Sequence, residues 1–326
     1  MQAAWYNRLG EARDVLTVGE LPTPVPGPGE VRVRLHTSGV NPSDVKSRRA
    51  RAITDPFIVP HSDGAGFIDA VGAGVSPARE GERVWVWNGQ WQRPMGTAAE
   101  FIVLPAQQAV LLPDHIDLAA GACLGIPALT ALQALNLAGD VRDKQVLVVG
   151  AGSAVGHYAT QIARLRGAHV IGTAGSTDKI AHARAAGAHE VINYKTEAVA
   201  ERIKALTEQR GVDVIIDMDL SSTANIAAQG ALARHGQLVC YGSNALEVAL
   251  PFRQFLYASV QLKFFLVYDL LAQDRRDGLT RLSDLLEARA LQHTIGPRFK
   301  LADIVQAHEA VEAGAFGNVV VDVAGV

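Results

Sequence analysis

The stretch Val146-Leu-Val-Val-Gly-Ala-Gly-Ser-Ala-Val-Gly156 limits what this chain can fold into more than any other part of it. Four apolar residues suited to a buried strand run into a glycine turn. The turn runs into an amphipathic helix with Val155, Ala159, Ile162 and Ala163 on one face. A strand that is apolar on both sides needs a layer above it and a layer below. Further apolar runs follow at His169–Ile171, Glu190–Ile192, Val212–Ile216 and Gln237–Tyr241, separated by stretches that mostly read as helical. Strand and helix in alternation make a doubly wound parallel sheet, so the middle of the chain is α/β.

The flanks read differently. Up to about residue 120 the chain is rich in Gly and Pro, with short alternating runs such as Val31–Leu35 and Arg83–Trp87 that predict half-buried strands joined by turns. Pro22–Glu30 carries too many prolines for helix or central strand, because each removes an amide donor; it is an extended surface connection. Near residue 270 the pattern becomes irregular again, and the tail carries a helix at Leu301–Ala313 and a strand at Asn318–Val323. At 326 residues the chain has room for about two domains. The expected division is 1–122 with 268–326 as one β-rich domain, and 123–267 as a nucleotide-binding domain inserted into it.

Composition excludes several functions. A net charge of −3 leaves no basic field for a phosphate backbone, so nucleic acid is not an expected partner. No apolar stretch is long enough to span a bilayer, and the first residues lack the basic-then-apolar order of a signal peptide, which together lead to the expectation of a cytoplasmic protein with no membrane partner. Two cysteines, Cys123 and Cys240, are too few for a disulfide framework and read as small buried apolar residues.

The chemistry starts at the glycine turn. Such a turn aims unpaired amides and the positive end of a helix dipole at a pyrophosphate, and glycine lets the backbone approach closely. The candidate contacts are Gly150, Ala151, Gly152, Ser153, Ala154, Val155 and Gly156. In register with G-x-G-x-x-G, the three key positions hold Ala151, Ser153 and Gly156. Ser153 therefore brings a Cβ where close approach is wanted, and a hydroxyl that can bond a phosphate. NAD enzymes place a carboxylate at the end of the second strand to hold the ribose 2′-hydroxyl. Here that position falls near Gly175, followed by Ser176 and Lys179, which leaves space and positive charge for a 2′-phosphate and favours NADP. The alternative is that Lys179 is a solvated first-turn residue and Asp178, slightly displaced, serves NAD.

Several segments, in order, resemble the zinc-independent quinone oxidoreductases, the ζ-crystallin group of the medium-chain dehydrogenase/reductase superfamily. They are Gly39–Arg48, Val59–Val75, Glu80–Trp85, Ala122–Leu135, Thr173–Lys195 and the closing AHEAVEAGAFGNVVVDV, and together they cover nearly the whole chain. The resemblance implies a GroES-like β-rich catalytic domain, built from both ends of the chain around a Rossmann domain, with the active site in the cleft between them. It also implies a homodimer. The family holds the 2′-phosphate of NADPH with Gly, Lys and Tyr at the positions of Gly175, Lys179 and Tyr194, while Gly242 and Ser243 match residues near the nicotinamide.

Zinc alcohol dehydrogenases share this architecture and place Cys, His and Cys ligands where this chain has Asn41, Ser62 and Ile126. An Ile cannot ligate a metal, so none is expected. Hydride transfer then depends on polar donors facing the acceptor oxygen. By match to the family, Asn41, Asp63 and Thr130 are the catalytic candidates. Asn41 reads equally well as an Asn-Pro turn former. Asp63, a carboxylate, suits orientation or proton relay better than contact with an oxyanion. His61 beside it reads as structural.

Two departures from the family stand out: Gly317-Asn318 replaces a Gly-Lys pair, and the loop around Asn88 to Met95, with Trp87 and Trp91, does not match the family pattern. That loop and Phe264, Phe265 and Tyr268 could shape an acceptor pocket or serve core and dimer packing. The expected activity is NADPH-dependent reduction of a quinone or a related α,β-unsaturated carbonyl compound. The alternatives are an enone or alkenal reductase with poor quinone activity, and a crystallin-like protein that binds nucleotide without chemistry.

Overall fold

The computed structural model describes residues 1–323. The chain divides into two compact units, one formed by Met1–Ile126 together with residues from Ser283 onward, the other by Pro127–Leu282. In the first, β1 (Gln2–Trp5), α1 (Ala12–Val15) and β2 (Thr17–Glu20) precede β3 (Glu30–Val40), α2 (Pro42–Ala50), β4 (Asp63–Val71), β5 (Arg83–Val86), β6 (Phe101–Pro105), β7 (Ala109–Leu111) and α3 (Leu118–Gly121). The second unit holds α4 (Leu129–Ala138), β8 (Gln145–Val148), α5 (Ala154–Leu165), β9 (His169–Ala174), α6 (Thr177–Ala185), β10 (Glu190–Asn193), α7 (Val199–Leu206), β11 (Val212–Asp217), α8 (Leu220–Ile226), β12 (Leu232–Cys240), α9 (Phe252–Ala258) and β13 (Gln261–Phe264). α10 (Ala272–Glu287) leads back to the first unit, which ends with β14 (Ile295–Lys300), α11 (Ile304–Glu312) and β15 (Asn318–Asp322).

The first unit is built on a seven-stranded sheet in the order β14-β15-β3-β4-β5-β7, with β6 paired to β3. β3 explains itself: Val31, Val33 and Leu35 are fully buried while Arg32 and Arg34 alternate outward, the period-2 pattern of a half-buried strand. Beyond Thr37 the same strand is covered on both sides and carries small residues. There Gly39 pairs with Asp63 of β4, and β15 pairs antiparallel with β3 from Val319 opposite Val40 to Asp322 opposite Thr37. β5 is more deeply covered than half-buried alternation suggested, because Val84, Trp85 and Val86 are all fully buried.

The second unit is a Rossmann sheet. Its six strands are parallel, in the order β10-β9-β8-β11-β12-β13, which is 3-2-1-4-5-6 counted within the unit. Leu147, Ile171, Ile192, Ile215 and Leu238 pack in one core, each worth about 1.5–3 kcal/mol of burial. Two details differ from the sequence reading. α5 is buried all round from Gly156 to Ala163 rather than on one face, since α4 and α6 pack on it. His157 is therefore carried inside, with its ring stacked 4.0 Å from that of His182. The sixth strand, β13, was not anticipated: Gln261-Leu-Lys-Phe264 is short and half polar, and only its place at the sheet edge makes it a strand. Among the described residues no helix is long and apolar enough to cross a membrane.

Candidate active site

In the second unit, a cavity of about 630 Å³ opens at the carboxyl ends of the parallel strands. That is where β8 and β11 lie side by side and the winding of the sheet reverses, the position at which open α/β sheets bind ligands. Its walls follow the strand ends in turn: Val149 and Gly150 after β8, Ala174 and Gly175 at β9, Tyr194 after β10, Met218 and Asp219 after β11, and Asn244 beyond β12.

The glycine turn is tied down from beneath, as the Gly150 and Ala151 amides donate to the Thr173 hydroxyl and carbonyl (3.0 and 2.9 Å). Gly150 takes φ of +69°, and a Cβ there would meet Met218 Sδ at 2.3 Å. A Cβ on Gly156 would sit 2.1 Å from the Gly150 carbonyl oxygen, so α5 can leave the turn only from a glycine. Ser153 caps that helix, its Oγ accepting from the Gly156 amide at 3.2 Å. The first-turn amides of α5 have no partner within the helix.

At the end of β9 no carboxylate lines the cavity, and Asp178 is absent from its walls. Tyr194 lies so close over Gly175 that a Cβ on the glycine would meet its hydroxyl at 2.3 Å. Lys179, half-buried, borders both Gly152 and the cavity. Three carboxylates share the wall and all are engaged: Glu197 accepts from the Asn193 amide (2.8 Å), Glu201 pairs with Lys204 (2.7 Å), and Asp219 accepts from Ser221 and Asn244.

Of the sequence candidates, Gly150, Gly152, Ser153, Gly175, Lys179 and Tyr194 line this cavity, whereas Ala151, Ala154, Val155, Gly156, Ser176, Gly242 and Ser243 do not. Ser176 caps α6, accepting from the Lys179 amide. Sequence reasoning missed Asp219 and Asn244. Asp219 Oδ1 accepts from the Asn244 amide (2.9 Å) and Ser221 Oγ (2.5 Å), and its Oδ2 accepts from Asn244 Nδ2 (3.0 Å). Burial raises this carboxyl, but the Ser221, Asn244 and Ser222 donors outweigh it and hold it below the usual range. The available signal was the Asp-Met-Asp that closes the apolar run 212–216 at a strand's carboxyl end.

The first unit holds Asn41 and Asp63 together. β3 ends one residue before Asn41, which caps α2 with Pro42 at the first helical position; its backbone N–H donates to Asp44 Oδ2 at 2.7 Å. The turn-forming role is thus realised. The side chain is occupied too, since Asn41 Nδ2 donates to Asp63 Oδ2 at 2.9 Å. The same oxygen accepts from the Ile126 amide at 3.0 Å, while Oδ1 has no hydrogen-bond partner among the described residues. Asp63 is wholly buried, and burial pushes its carboxyl well above the usual range despite the Asn41 donor. Burial likewise lifts Asp44 to about 7. Thr130, in the second unit, is buried in the first turn of α4, and its hydroxyl has no partner among the described residues. Phe264 stands on the exposed edge strand β13, and the guanidinium of Arg51 lies over the Trp91 ring at 4.6 Å within the first unit.

Residues 27–114 match the alcohol dehydrogenase GroES-like domain and residues 154–284 the zinc-binding dehydrogenase family. The quinone oxidoreductase of Sus scrofa is 30% identical over 98% of this chain and 97% of its own length. The chain belongs to the quinone oxidoreductases of the medium-chain dehydrogenase/reductase superfamily. A 2-haloacrylate reductase from a Burkholderia species is also 30% identical, over 87% of each chain. Among solved structures, an NAD-dependent alcohol dehydrogenase superposes with a TM-score of 0.89 at 30% identity, covering 99% of this chain and all of the other. A mycobacterial protein complexed with NADPH gives 0.87 at 28% identity with the same coverage. As a family member the protein is an oxidoreductase that works with a nicotinamide nucleotide on a small-molecule substrate, and its GroES-like and Rossmann units are those the resemblance implied.

Proposed function

We propose that this protein uses NADPH to reduce quinones or related α,β-unsaturated carbonyl compounds, without zinc. The observation that carries the cofactor choice is the end of β9, where Gly175, Lys179 and Tyr194 frame the cavity and no carboxylate stands ready for a ribose diol. The cavity fits a dinucleotide, because its floor is a turn in which added Cβ atoms would collide with backbone. In this reading the turn from Gly150 to Gly156 and the Ser153 hydroxyl hold the pyrophosphate. Lys179 and Tyr194 meet the 2′-phosphate beside Gly175 and Ser176, and Gly242 and Ser243 border the nicotinamide end. When bound, the nicotinamide supplies a hydride from C4.

The positions that carry zinc in the related alcohol dehydrogenases do not suit a metal here. The Asn41 amide already donates to Asp63, Ser62 offers a hydroxyl, and Ile126 offers no side-chain donor. Among the described residues no three His, Cys, Asp or Glu side chains are grouped to hold a metal ion. In place of a Lewis acid, Asn41 presents the second hydrogen of its amide to the developing oxyanion, and Asp63 fixes the direction of that amide. Thr130, in the second unit, is a further candidate, its buried hydroxyl having no partner among the described residues.

The test is NADPH oxidation with 1,4-quinones and with enones as acceptors, before and after chelation. Turnover should require an acceptor and survive the chelator; loss of activity on metal removal overturns the zinc-free assignment. The 2-haloacrylate reductase relative favours a second reading, reduction of activated alkenes with poor quinone turnover, which the same panel separates. We place a homodimer contact at β13, an edge strand with Phe264 59% exposed.

A further inference from the structure

Beneath Asn41 and Asp63 runs a buried chain of side chains from distant parts of the sequence. Thr97 Oγ1 lies 2.5 Å from the Asp63 carbonyl oxygen and 2.7 Å from Ser38 Oγ; Ser38 Oγ is 2.9 Å from His61 Nδ1; and His61 Nε2 is 3.0 Å from His308 Nε2. All five residues are completely buried.

The direction of each bond as far as His61 follows from one constraint. A carbonyl oxygen can only accept, so Thr97 donates to Asp63. Thr97 must then accept from Ser38, and Ser38 must accept from His61 Nδ1–H. Burial pushes His61 down to about 3, so its ring is neutral and Nε2 is bare. His308 therefore carries its hydrogen on Nε2 and donates it to His61. A chain that ends on a backbone carbonyl cannot pass a proton onward, which makes it a clamp and not a relay.

What the chain clamps is the candidate site. Ser38 lies on β3, three residues before Asn41, and Thr97 fastens the backbone of Asp63. A second observation points the same way: His61 has φ of +75°, a left-handed backbone that a non-glycine residue keeps only when its surroundings hold it there. We infer that His61 and His308 are positioning residues, which through Ser38 and Thr97 fix Asn41 and Asp63 in the geometry the reaction needs. This rests on the reading that Asn41 and Asp63 serve catalysis.

Three variants test it. His308→Leu removes the donor, His308→Gln replaces it with an amide N–H, and His61→Gly suits the left-handed backbone while removing the ring. In His308→Leu and His61→Gly, kcat should fall roughly tenfold or more with KM for NADPH unchanged, and His308→Gln should restore most of it. Nitrogen-edited NMR should show His61 protonated on Nδ1 and His308 on Nε2. The Asn41 side-chain amide and Asp63 backbone amide resonances should move in His308→Leu and return in His308→Gln. These resonances are read without any acceptor, so an inert wild-type enzyme would sink the reductase reading alone. Unmoved Asn41 and Asp63 resonances, equal shifts in both His308 variants, the opposite tautomers, or a lowered melting temperature at wild-type kcat would overturn the positioning role.

Discussion

Lys179→Ala isolates the interaction on which the cofactor assignment turns. Alanine retains the Cβ that, with the Lys179 carbonyl oxygen, closes over Gly152, where an added Cβ would sit 2.7 Å from each. The turn thus keeps its wall and only the charged stem is lost. A charge-assisted hydrogen bond from the ammonium to a 2′-phosphate is worth ~1.5–3 kcal/mol net. The Coulomb energy of two unit charges at 4 Å near a protein surface, about 4 kcal/mol, is the ceiling. At 1.4 kcal/mol per decade, Kd for NADPH should rise by about 10- to 150-fold, whereas Kd for NADH, which has no phosphate there, should stay within about twofold. Titration calorimetry with both nucleotides measures this, and repeating it in about 0.05 and 0.5 M salt should weaken NADPH binding more in the wild type than in the variant. Equal weakening of both nucleotides, or none for NADPH, would refute the reasoning.

Gly156→Ala should abolish nucleotide binding or unfold the second unit, because its Cβ would lie 2.1 Å from a backbone oxygen that cannot move aside; wild-type NADPH affinity in a calorimeter would contradict this. Asp44, raised by burial to about 7, favours the folded state most when protonated, so its contribution is complete below about pH 4 and is lost as pH rises to 7, on the order of 4 kcal/mol. Urea unfolding across that range should show the decline in the wild type and a flatter curve in Asp44→Asn; identical slopes would remove the argument. Phe264→Lys puts a charge on the exposed edge of β13 and should yield monomers in sedimentation, with a persisting dimer placing the contact elsewhere.

The Rossmann half was legible because each of its central strands is a continuous apolar run and its turn has a glycine signature. β13 escaped notice because Gln261-Leu-Lys-Phe264, although it alternates polar and apolar residues, is only four residues long and carries no apolar run. In the first unit, strands could be recognised but not their neighbours: pairing Gly39 with Asp63, or Val40 with Val319, leaves no periodic mark. The candidate site divides the same way. Glycines and Lys179 announce themselves by local pattern, whereas Asp219 is recruited by the direction of a strand end. His61 and His308 are 247 positions apart, and nothing near either residue points to the other. Asn41 was ambiguous because it does two jobs, capping a helix through its backbone position and donating to Asp63 through its amide.

The placement of β15 between β14 and β3 bears on how the molecule is made. Its partner β3 precedes the whole second unit in the sequence, yet the strand that covers its flank follows that unit. Until β15 is made, residues 37–40 of β3 have no strand on that flank, while the contiguous second unit can close on itself. The first unit's sheet is thus completed only after the second unit has been made, and a chain halted just short of Asn318 would carry a finished nucleotide fold together with a sheet whose edge is uncovered.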